Sequence, residues 1–138
     1  MRPTAGPELC VGAVIVQDEA LLLVRRGHGP AGGQWAVPGG RVEAGETMAE
    51  AVVREVAEET GLPVVCEHLI GWVERIDAEH HFVIFDFAAT PLADDEPLRA
   101  GDDAAEVAWV PLSQVTELDL VPGLAEFLAT NGVIRVFT

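Results

Sequence analysis

The strongest local constraint on this chain is a helix whose two ends are both marked in the sequence. Thr47 is suited to be its N-cap, and Glu50, three residues later, completes a capping box. Gly61 suits the position just beyond the last helical residue, and Pro63 prevents the helix from continuing. The sequence therefore predicts one well-bounded helix over residues 47–60.

The predicted helix carries an apolar side and an acidic side. Its apolar residues cluster on one side of the helical wheel: Ala49, Val52, Val53 and Val56. Three glutamates lie on an adjacent arc about 100° wide, at 3.6 residues per turn: Glu55, Glu58 and Glu59. Like charges at this spacing repel by about 0.2–0.5 kcal/mol per exposed pair. The glutamates therefore form either a solvated acidic surface or a site for something positively charged.

Strand-length apolar segments lie on both sides of this helix. Two predicted strands precede it, over residues 8–17 and 21–26, paired as an antiparallel hairpin. A glycine-rich loop over 27–34 and a short extended piece over 35–40 follow. The segments after the helix predict strands over 64–76, 81–90 and 106–112 and a short helix over 121–130. This order predicts a single α/β (α+β) domain over residues 1–138, with a mixed sheet.

The charge balance limits the classes of partner. The chain has 23 acidic against 8 basic residues and a formal net charge of −15, so it lacks the basic footprint of a protein that binds nucleic-acid polymers. The apolar runs are too short to span a bilayer, and the N-terminal segment has no export-signal pattern. Cys10 and Cys66 share no CxxC spacing, so free thiols are expected. A cytoplasmic location without membrane partners is therefore expected.

The glutamates belong to a longer run with defined spacing, from Gly40 to Leu62. Gly40 and Glu46 are separated by five residues, and Glu46 and Arg54 by seven, before the segment REVAEETGL completes the run. At all nine defined positions this run resembles the Nudix box, GX5EX7REUXEEXGU, in which U is an aliphatic residue. The chain is thereby identified as a member of the Nudix hydrolase family. The resemblance implies the Nudix fold, a mixed β-sheet sandwiched between helices.

The resemblance also implies a divalent cation, Mg²⁺ or alternatively Mn²⁺, held by four groups: the carbonyl of Gly39 and the side chains of Glu55, Glu58 and Glu59. Such oxygen ligands suit Mg²⁺, and a bound cation would offset the repulsion between the glutamates. Glu46 and Arg54 would form an ion pair that holds the loop to the helix, a role that the planar guanidinium suits. The implied reaction is attack of water on a phosphorus atom of a nucleoside diphosphate linked to another group.

The general base has several candidates. The resemblance implies either a glutamate of the box or an acidic residue late in the chain, where Asp102, Asp103 and Glu106 are candidates. Asp103 is preferred as an extra metal ligand or base, because related sequences carry an acid at the corresponding distance before a residue like Trp109. A solvated loop acid is the alternative for Asp103.

Four residues outside the box are candidate substrate contacts. Arg25 and Arg26 end the second predicted strand near the expected cleft and are candidates to contact phosphate. Trp35 is a candidate wall of that cleft, and His81, at the start of a strand, is a candidate to line it. A purely structural or surface role is the alternative for each.

The substrate is not specified by the box. Residues 11–127 are similar to the short bacterial and archaeal sequences grouped as ADP-ribose pyrophosphatases, which implies hydrolysis of ADP-ribose to AMP and ribose 5-phosphate. Enzymes that cleave 8-oxo-dGTP or other nucleoside triphosphates share the same frame. Longer ADP-ribose enzymes carry a proline about fifteen residues after the box, where this chain has Ile76, Asp77 and Ala78.

The acidic helix is also compatible with roles that involve binding and no turnover. A nucleotide sensor without turnover usually lacks some of the glutamates, and none is lost here. An acidic protein-interaction surface is a further possibility, and it would predict no dependence of stability on Mg²⁺. An exposed apolar strand edge would also allow a homodimer.

Overall fold

The computed structural model describes residues 6–29, 32–101 and 103–135. Residues 30–31 of the glycine-rich loop and the candidate base Asp102 lie outside the described residues. Within these ranges the elements follow in chain order: β1 (Glu8–Val14), β2 (Val16–Gln17), β3 (Ala20–Arg26), β4 (Trp35–Ala36), β5 (Gly39–Arg41), α1 (Met48–Thr60), β6 (Val64–Ile76), β7 (His81–Pro91), β8 (Ala104–Pro111), a 3-10 helix (Leu112–Glu117) and α2 (Leu124–Thr130). The 3-10 helix had no counterpart among the predicted elements.

The strands form two four-stranded sheets. The first has the order β5-β1-β7-β6, in which β1 and β7 are parallel and the other pairs are antiparallel. In the second, β8 pairs along the whole length of β3, while β2 and β4 pair with its two ends. The predicted mixed pairing is confirmed, although the strands divide between two sheets.

The predicted first hairpin is wrong in its extent. Residues 8–17 do not form one strand: the chain passes from the first sheet to the second at Ile15, and Val16 and Gln17 form the short strand β2 beside β3. The physical reason is burial, because β1 is the continuous apolar strand that pairs on both edges, with β5 and β7. Asp18 and Glu19 form the two-residue turn into β3, with φ of 52° and 61°, as a tight hairpin of this twist requires.

The helix ends lie where the sequence predicts them. The Thr47 hydroxyl accepts a hydrogen bond from the Glu50 N–H at 3.1 Å, and the Glu50 carboxylate accepts one from the Thr47 N–H at 2.9 Å. Gly61, at φ 75°, donates its N–H to the Ala57 carbonyl and ends α1 in the left-handed conformation that glycine tolerates. These contacts confirm the capping box and the glycine stop.

The buried face of α1 differs from the predicted one. Val52 and Val56 are buried as predicted, but Val53 is 37% exposed and Ala49 is also exposed. Ala51 is buried instead and packs in one cluster with Val11 and Ala13 of β1. Helix propensity and periodicity locate an apolar side only approximately, and the packing partner decides which residues meet the sheet.

Two apolar clusters lie on opposite faces of the strands. Val11, Ala13 and Leu22 pack with α1 on one face, whereas Leu21 and Leu23 pack with α2 on the other. Neighbouring residues of β3 thus contribute to different clusters, as the alternation of side chains along a strand requires. The strands therefore lie between two helical layers, as the family resemblance implies.

Two further sequence expectations concern cysteines and membranes. Cys10 and Cys66 are free. None of the helices in the described part of the chain combines the length and the apolar character needed to cross a membrane.

Candidate active site

Helix α1 presents its three glutamates at unequal depth. Buried Val52 and Val56 fix the rotation of the helix against the sheet. The Glu55 side chain is 15% exposed and the Glu58 side chain 59% exposed, while Glu59 is half-buried. The acidic arc therefore runs from solvent into the junction between helix and sheet.

The Arg54 side chain connects the loop before α1 to the helix. Its Nε and Nη2 atoms donate to the two carboxylate oxygens of Glu46, at 2.6 and 2.8 Å. The Nη2 atom also donates to the carbonyl oxygen of Arg41, at 2.9 Å. This bidentate geometry is available to arginine but not to lysine. The ion pair expected between Glu46 and Arg54 is present.

The third guanidinium nitrogen of Arg54 reaches the glutamates of the helix. Nη1 donates to Glu55 Oε1 at 2.7 Å and to Glu58 Oε2 at 3.3 Å, and Glu43 Oε1 lies 3.6 Å away. One cation thus contacts acids from both the loop and the helix. The contacts partly offset the repulsion between Glu55 and Glu58.

The Glu46–Arg54 pair shifts the protonation of both groups toward their charged forms. The Arg54 hydrogen bonds are the main reason that the pKa of Glu46 is lowered to about 2, and the Glu43 N–H, which donates at 3.0 Å, adds to the effect. The pKa of Arg54 is raised in turn, chiefly by its hydrogen bond to Glu46. The pair therefore stays ionised across the physiological pH range.

The surroundings of Glu59, in contrast, favour the neutral form of its carboxyl group. Its pKa is raised from an ordinary 4.5 to about 8, chiefly by burial and in part by the neighbouring Glu55 carboxyl. The Gly39 N–H, which donates to Glu59 Oε1 at 3.2 Å, and the positive charge of Arg26 act in the other direction. A negative charge on Glu59 is therefore under-compensated by the protein groups around it. A bound cation is the kind of partner that reverses such a shift.

Two glycines bring the backbone of β5 against the acidic helix. A Cβ atom on Gly40 would lie 2.6 and 2.7 Å from the two carboxylate oxygens of Glu55. A Cβ atom on Gly39 would overlap the carbonyl oxygen of Val11 in the neighbouring strand. A larger residue at Gly39 would have to push β5 and β1 apart, so this position needs glycine. A larger residue at Gly40 would instead displace the carboxylate end of the Glu55 side chain.

The donor chemistry of this site fits a hard divalent cation, because the candidate ligands are all oxygen atoms and one carboxyl is buried without enough positive charge. Among residues 6–29, 32–101 and 103–135, however, no three His, Cys, Asp or Glu side chains converge as a formed set of metal ligands. The hydrogen bonds explain why: Arg54 draws Glu55 and Glu58 toward itself, while Glu59 turns toward Gly39. The predicted ligand set stays a prediction.

The chain just before the late acidic candidates packs on the end of α1. Gly101 donates its N–H to the Glu59 carbonyl at 3.0 Å, so the loop before β8 packs directly on the helix. Two residues further on, the Asp103 side chain is 87% exposed, with Oδ1 3.9 Å from His28 Nε2. Glu106 is instead held by Arg25, at 2.7 Å. A role for Asp103 as ligand or base stays a prediction.

The candidate substrate contacts do not form one group. Arg25 is engaged by Glu106, and His81 Nε2 lies 2.9 Å from Glu74 Oε2 across the β6–β7 pair. Trp35 packs against the α2-side apolar cluster. Arg26 is the one of the four whose charge acts on the acidic site, since it lowers the pKa of Glu59.

The residue that sequence analysis missed is Asp86. It lies in β7, is 6% exposed, and its Oδ1 atom is buried without a hydrogen-bond partner among the described residues. Burial raises its pKa to about 6, against the opposing charge of Arg75. A signal was available, because Asp86 is the single charged residue within the apolar segment FVIFDFAAT.

The fold is shared with MutT-type proteins of known structure. A crystal structure of a MutT protein from Methanosarcina mazei Go1 matches with a TM-score of 0.81 at 27% identity, covering 94% of this chain and 95% of that one. A family model described as the NUDIX domain matches residues 6–130. The chain belongs to the Nudix hydrolase family, as the resemblance of its box implies.

Two relatives bear on the kind of substrate. An ADP-ribose pyrophosphatase from Methanocaldococcus jannaschii is 38% identical over 114 residues, which cover 81% of this chain and 66% of the relative. A human 8-oxo-dGDP phosphatase is 37% identical over 97 residues, which cover 69% of this chain but 29% of the relative. Both are nucleotide-hydrolysing proteins by name, and they differ in the nucleotide.

Proposed function

We propose that this chain is a Mg²⁺-dependent pyrophosphohydrolase, with Mn²⁺ as the alternative ion, that converts ADP-ribose and water to AMP and ribose 5-phosphate. The observation that carries the proposal is the Arg54 network, in which one guanidinium holds acids from the loop and from the helix. A merely solvated acidic face would not bury Glu59 and raise its pKa to about 8. This combination favours a cation site over an acidic protein-interaction surface.

Four groups of the chain would hold the cation: the Gly39 carbonyl and the carboxylates of Glu55, Glu58 and Glu59. When bound, the cation would neutralise part of the pyrophosphate charge and make water more acidic. Arg54 and Glu46 would act through the glutamates, because they keep the helix carboxylates oriented during turnover.

The chemical step forms one bond and breaks another. The oxygen of water bonds to a phosphorus atom, and the bridging P–O bond of the anhydride breaks. The proton of the attacking water passes to a carboxylate, either a glutamate of the box or Asp103. Asp103 suits this role because its exposed side chain follows the segment that packs on the end of α1.

ADP-ribose is proposed as the substrate because the archaeal relative named for that activity covers most of this chain. The specific observation that favours a second candidate is the similarity to the human 8-oxo-dGDP phosphatase. An oxidised or ordinary nucleoside diphosphate or triphosphate is therefore the second candidate substrate.

Product analysis tests the proposal. The purified chain is incubated with Mg²⁺ and ADP-ribose, NADH, 8-oxo-dGDP, 8-oxo-dGTP and the ordinary nucleoside triphosphates in turn. We expect AMP and ribose 5-phosphate from ADP-ribose, and none with Glu59→Gln. The matched control is Glu126→Gln, which removes one exposed carboxylate from α2. Turnover of the 8-oxo nucleotides alone would select the second candidate, and no turnover on the panel would reject both.

A homodimer is proposed from the exposed edge of the first sheet. Strand β6 lies at that edge, and its side chains Leu69, Trp72 and Ile76 are 45%, 57% and 61% exposed. Such an edge favours pairing with a second copy. Light scattering after size exclusion tests this, and a monomer at micromolar concentration would reject it.

A further inference from the structure

Four residues that lie opposite one another on the four strands of the first sheet form a row across it, and three of the four are glycines. Gly39 in β5 lies opposite Gly12 in β1, Gly12 opposite Asp86 in β7, and Asp86 opposite Gly71 in β6. Glycine weakens a strand interior and often marks a place where another group must approach the backbone closely. A row with three of them is therefore a costly way to build a sheet, and Asp86 is its one functional group.

The glycines beside Asp86 are required by the packing. A Cβ atom on Gly12 would overlap the Oδ1 atom of Asp86 and lie 3.2 Å from the Val37 side chain. On the other side, a Cβ atom on Gly71 would lie 3.0 Å from the ring of Phe127 in α2. The Asp86 carboxyl thus occupies space that the missing side chain at Gly12 leaves free, on the face of the sheet that α2 covers.

Asp86 destabilises the fold as it stands. Its Oδ1 atom is buried and has no hydrogen-bond partner among the described residues. A buried oxygen left in this state carries the unfavourable free energy of its own desolvation, which is larger for a charged group. The Arg75 side chain, whose charge acts on Asp86, directs its Nη2 atom to the Pro122 carbonyl at 2.6 Å instead. Costs of this kind in a folded protein are typical of groups kept for function.

The row connects Asp86 to the acidic site. Gly39, at its other end, donates its N–H to Glu59 at 3.2 Å. Asp86 and Gly39 are two strands apart, which is roughly 10 Å at the usual spacing. The Asp86 carboxyl faces the α2 side of the sheet, whereas the glutamates lie on the α1 side. Because β5 is the edge strand of this sheet, a substrate with its anhydride at the glutamates could pass that edge and extend its nucleoside part toward Asp86.

We propose that Asp86 is a specificity-determining residue, whose carboxyl accepts a hydrogen bond from an N–H or O–H group of the nucleoside part of the substrate. This inference rests on the proposed function, because it presumes a nucleotide bound at the glutamates. A base amino group and a ribose hydroxyl are both donors of the required kind, and the two are separated by experiment.

The test couples a change in the protein to a change in the substrate. Asp86→Asn and the unaltered chain are assayed for kcat/KM on ADP-ribose, on its hypoxanthine analogue without the amino group, and on its 2′-deoxyribose analogue. We expect Asp86→Asn to lower kcat/KM for ADP-ribose by about 10-fold, because the substrate donor then meets a neutral amide oxygen, and a hydrogen bond to a charged carboxylate is roughly twice as strong. For the analogue that lacks the group donating to Asp86, the substitution Asp86→Asn should lower kcat/KM by at most about 2-fold, because there is no hydrogen bond left to weaken.

The pattern of losses decides the outcome. A reduced loss with the hypoxanthine analogue assigns the base amino group as the donor, and a reduced loss with the deoxy analogue assigns the ribose hydroxyl. Equal losses on all three substrates, or no loss on any, would overturn the inference. If the unaltered chain turns over 8-oxo-dGTP and not ADP-ribose, the same comparison is made with guanine-type and hypoxanthine-type deoxynucleotides. Inactivity of the unaltered chain would instead reject the proposed function.

Two further measurements separate binding from folding. Asp86→Asn removes a buried charge, so its melting temperature should equal or exceed that of the unaltered chain. Asp95→Asn is the matched control: it makes the same chemical change at an exposed residue with φ 61°, a conformation that asparagine also tolerates. It should leave kcat/KM unchanged. A lower melting temperature for Asp86→Asn, together with unchanged substrate preference, would make Asp86 a structural residue and overturn the inference.

Discussion

The guanidinium of Arg54 holds the carboxylate of Glu46 in a bidentate ion pair, with N–O distances of 2.6 and 2.8 Å. The same guanidinium contacts Glu55 and Glu58 through its remaining nitrogen. Arg54 therefore acts at two levels: it attaches the loop to the helix and it orients acids that face the proposed cation. Changes at Arg54 should affect turnover more than they affect the fold.

Replacing Arg54 by lysine tests this division of roles. We expect Arg54→Lys to lower kcat/KM by about 10- to 100-fold, because one ammonium cannot keep the contacts to Glu46, the Arg41 carbonyl and Glu55 together. Steady-state kinetics and circular dichroism measure the two effects. Arg41→Lys is the control: the Arg41 side chain is 64% exposed, and lysine can keep its ion pair with Glu8, so kcat/KM should change little. Full activity of Arg54→Lys would contradict the positioning role.

The helix glutamates should be essential for turnover and dispensable for folding. We expect Glu58→Gln or Glu59→Gln to lower kcat by about 100-fold or more, because each removes a proposed cation ligand. Initial rates with Mg²⁺ and thermal unfolding measure turnover and fold. If either variant kept near-normal activity at the same stability, the proposed ligand set would be wrong.

The buried carboxyl of Glu59 predicts an unusual pH dependence for the metal-free protein. Because its folded pKa, about 8, lies above its ordinary 4.5, the folded state binds more protons than the unfolded state between these values. The free energy of unfolding should therefore fall as pH rises from about 4.5 to 8. Asp86, whose pKa is also raised, should contribute to this fall between about pH 4 and 6. Melting temperatures in EDTA across this range measure it.

Variants and Mg²⁺ identify the source of that dependence. Glu59→Gln should flatten the decline between pH 6 and 8, whereas Glu126→Gln should leave it unchanged. Saturating Mg²⁺ should also reduce the decline, because a cation bound to the ionised carboxylates compensates the buried charge. An identical pH profile for Glu59→Gln and the unaltered chain would show that another group is responsible.

The N-cap of α1 should contribute stability without affecting chemistry. Thr47→Ala removes the hydroxyl that accepts the Glu50 N–H, so the free energy of unfolding should fall by about 0.5–2 kcal/mol. Urea denaturation measures this change. Thr47→Ser keeps the acceptor and should stay within a few tenths of a kcal/mol of the unaltered chain. Equal stability of the alanine and serine variants would mean that the cap contributes nothing.

Much of the site follows from local sequence. The capping residues placed both ends of α1. The resemblance to the Nudix box implied the ion pair between Glu46 and Arg54, which is present. The bounds of β6 were likewise predicted from its apolar run and its neighbours. Such features depend on contacts between residues close in the chain.

Other features depend on which distant segments meet. Three features result from contacts between residues far apart in sequence: the break of the first strand at Ile15, the burial of Ala51 in place of Val53, and the position of Asp86 beside Gly12. The sequence alone determined the helix, its acidic arc and the arginine that holds it. Only the tertiary structure decided how deep each acid lies, because burial is a property of what packs against a residue, and no local pattern specifies that partner.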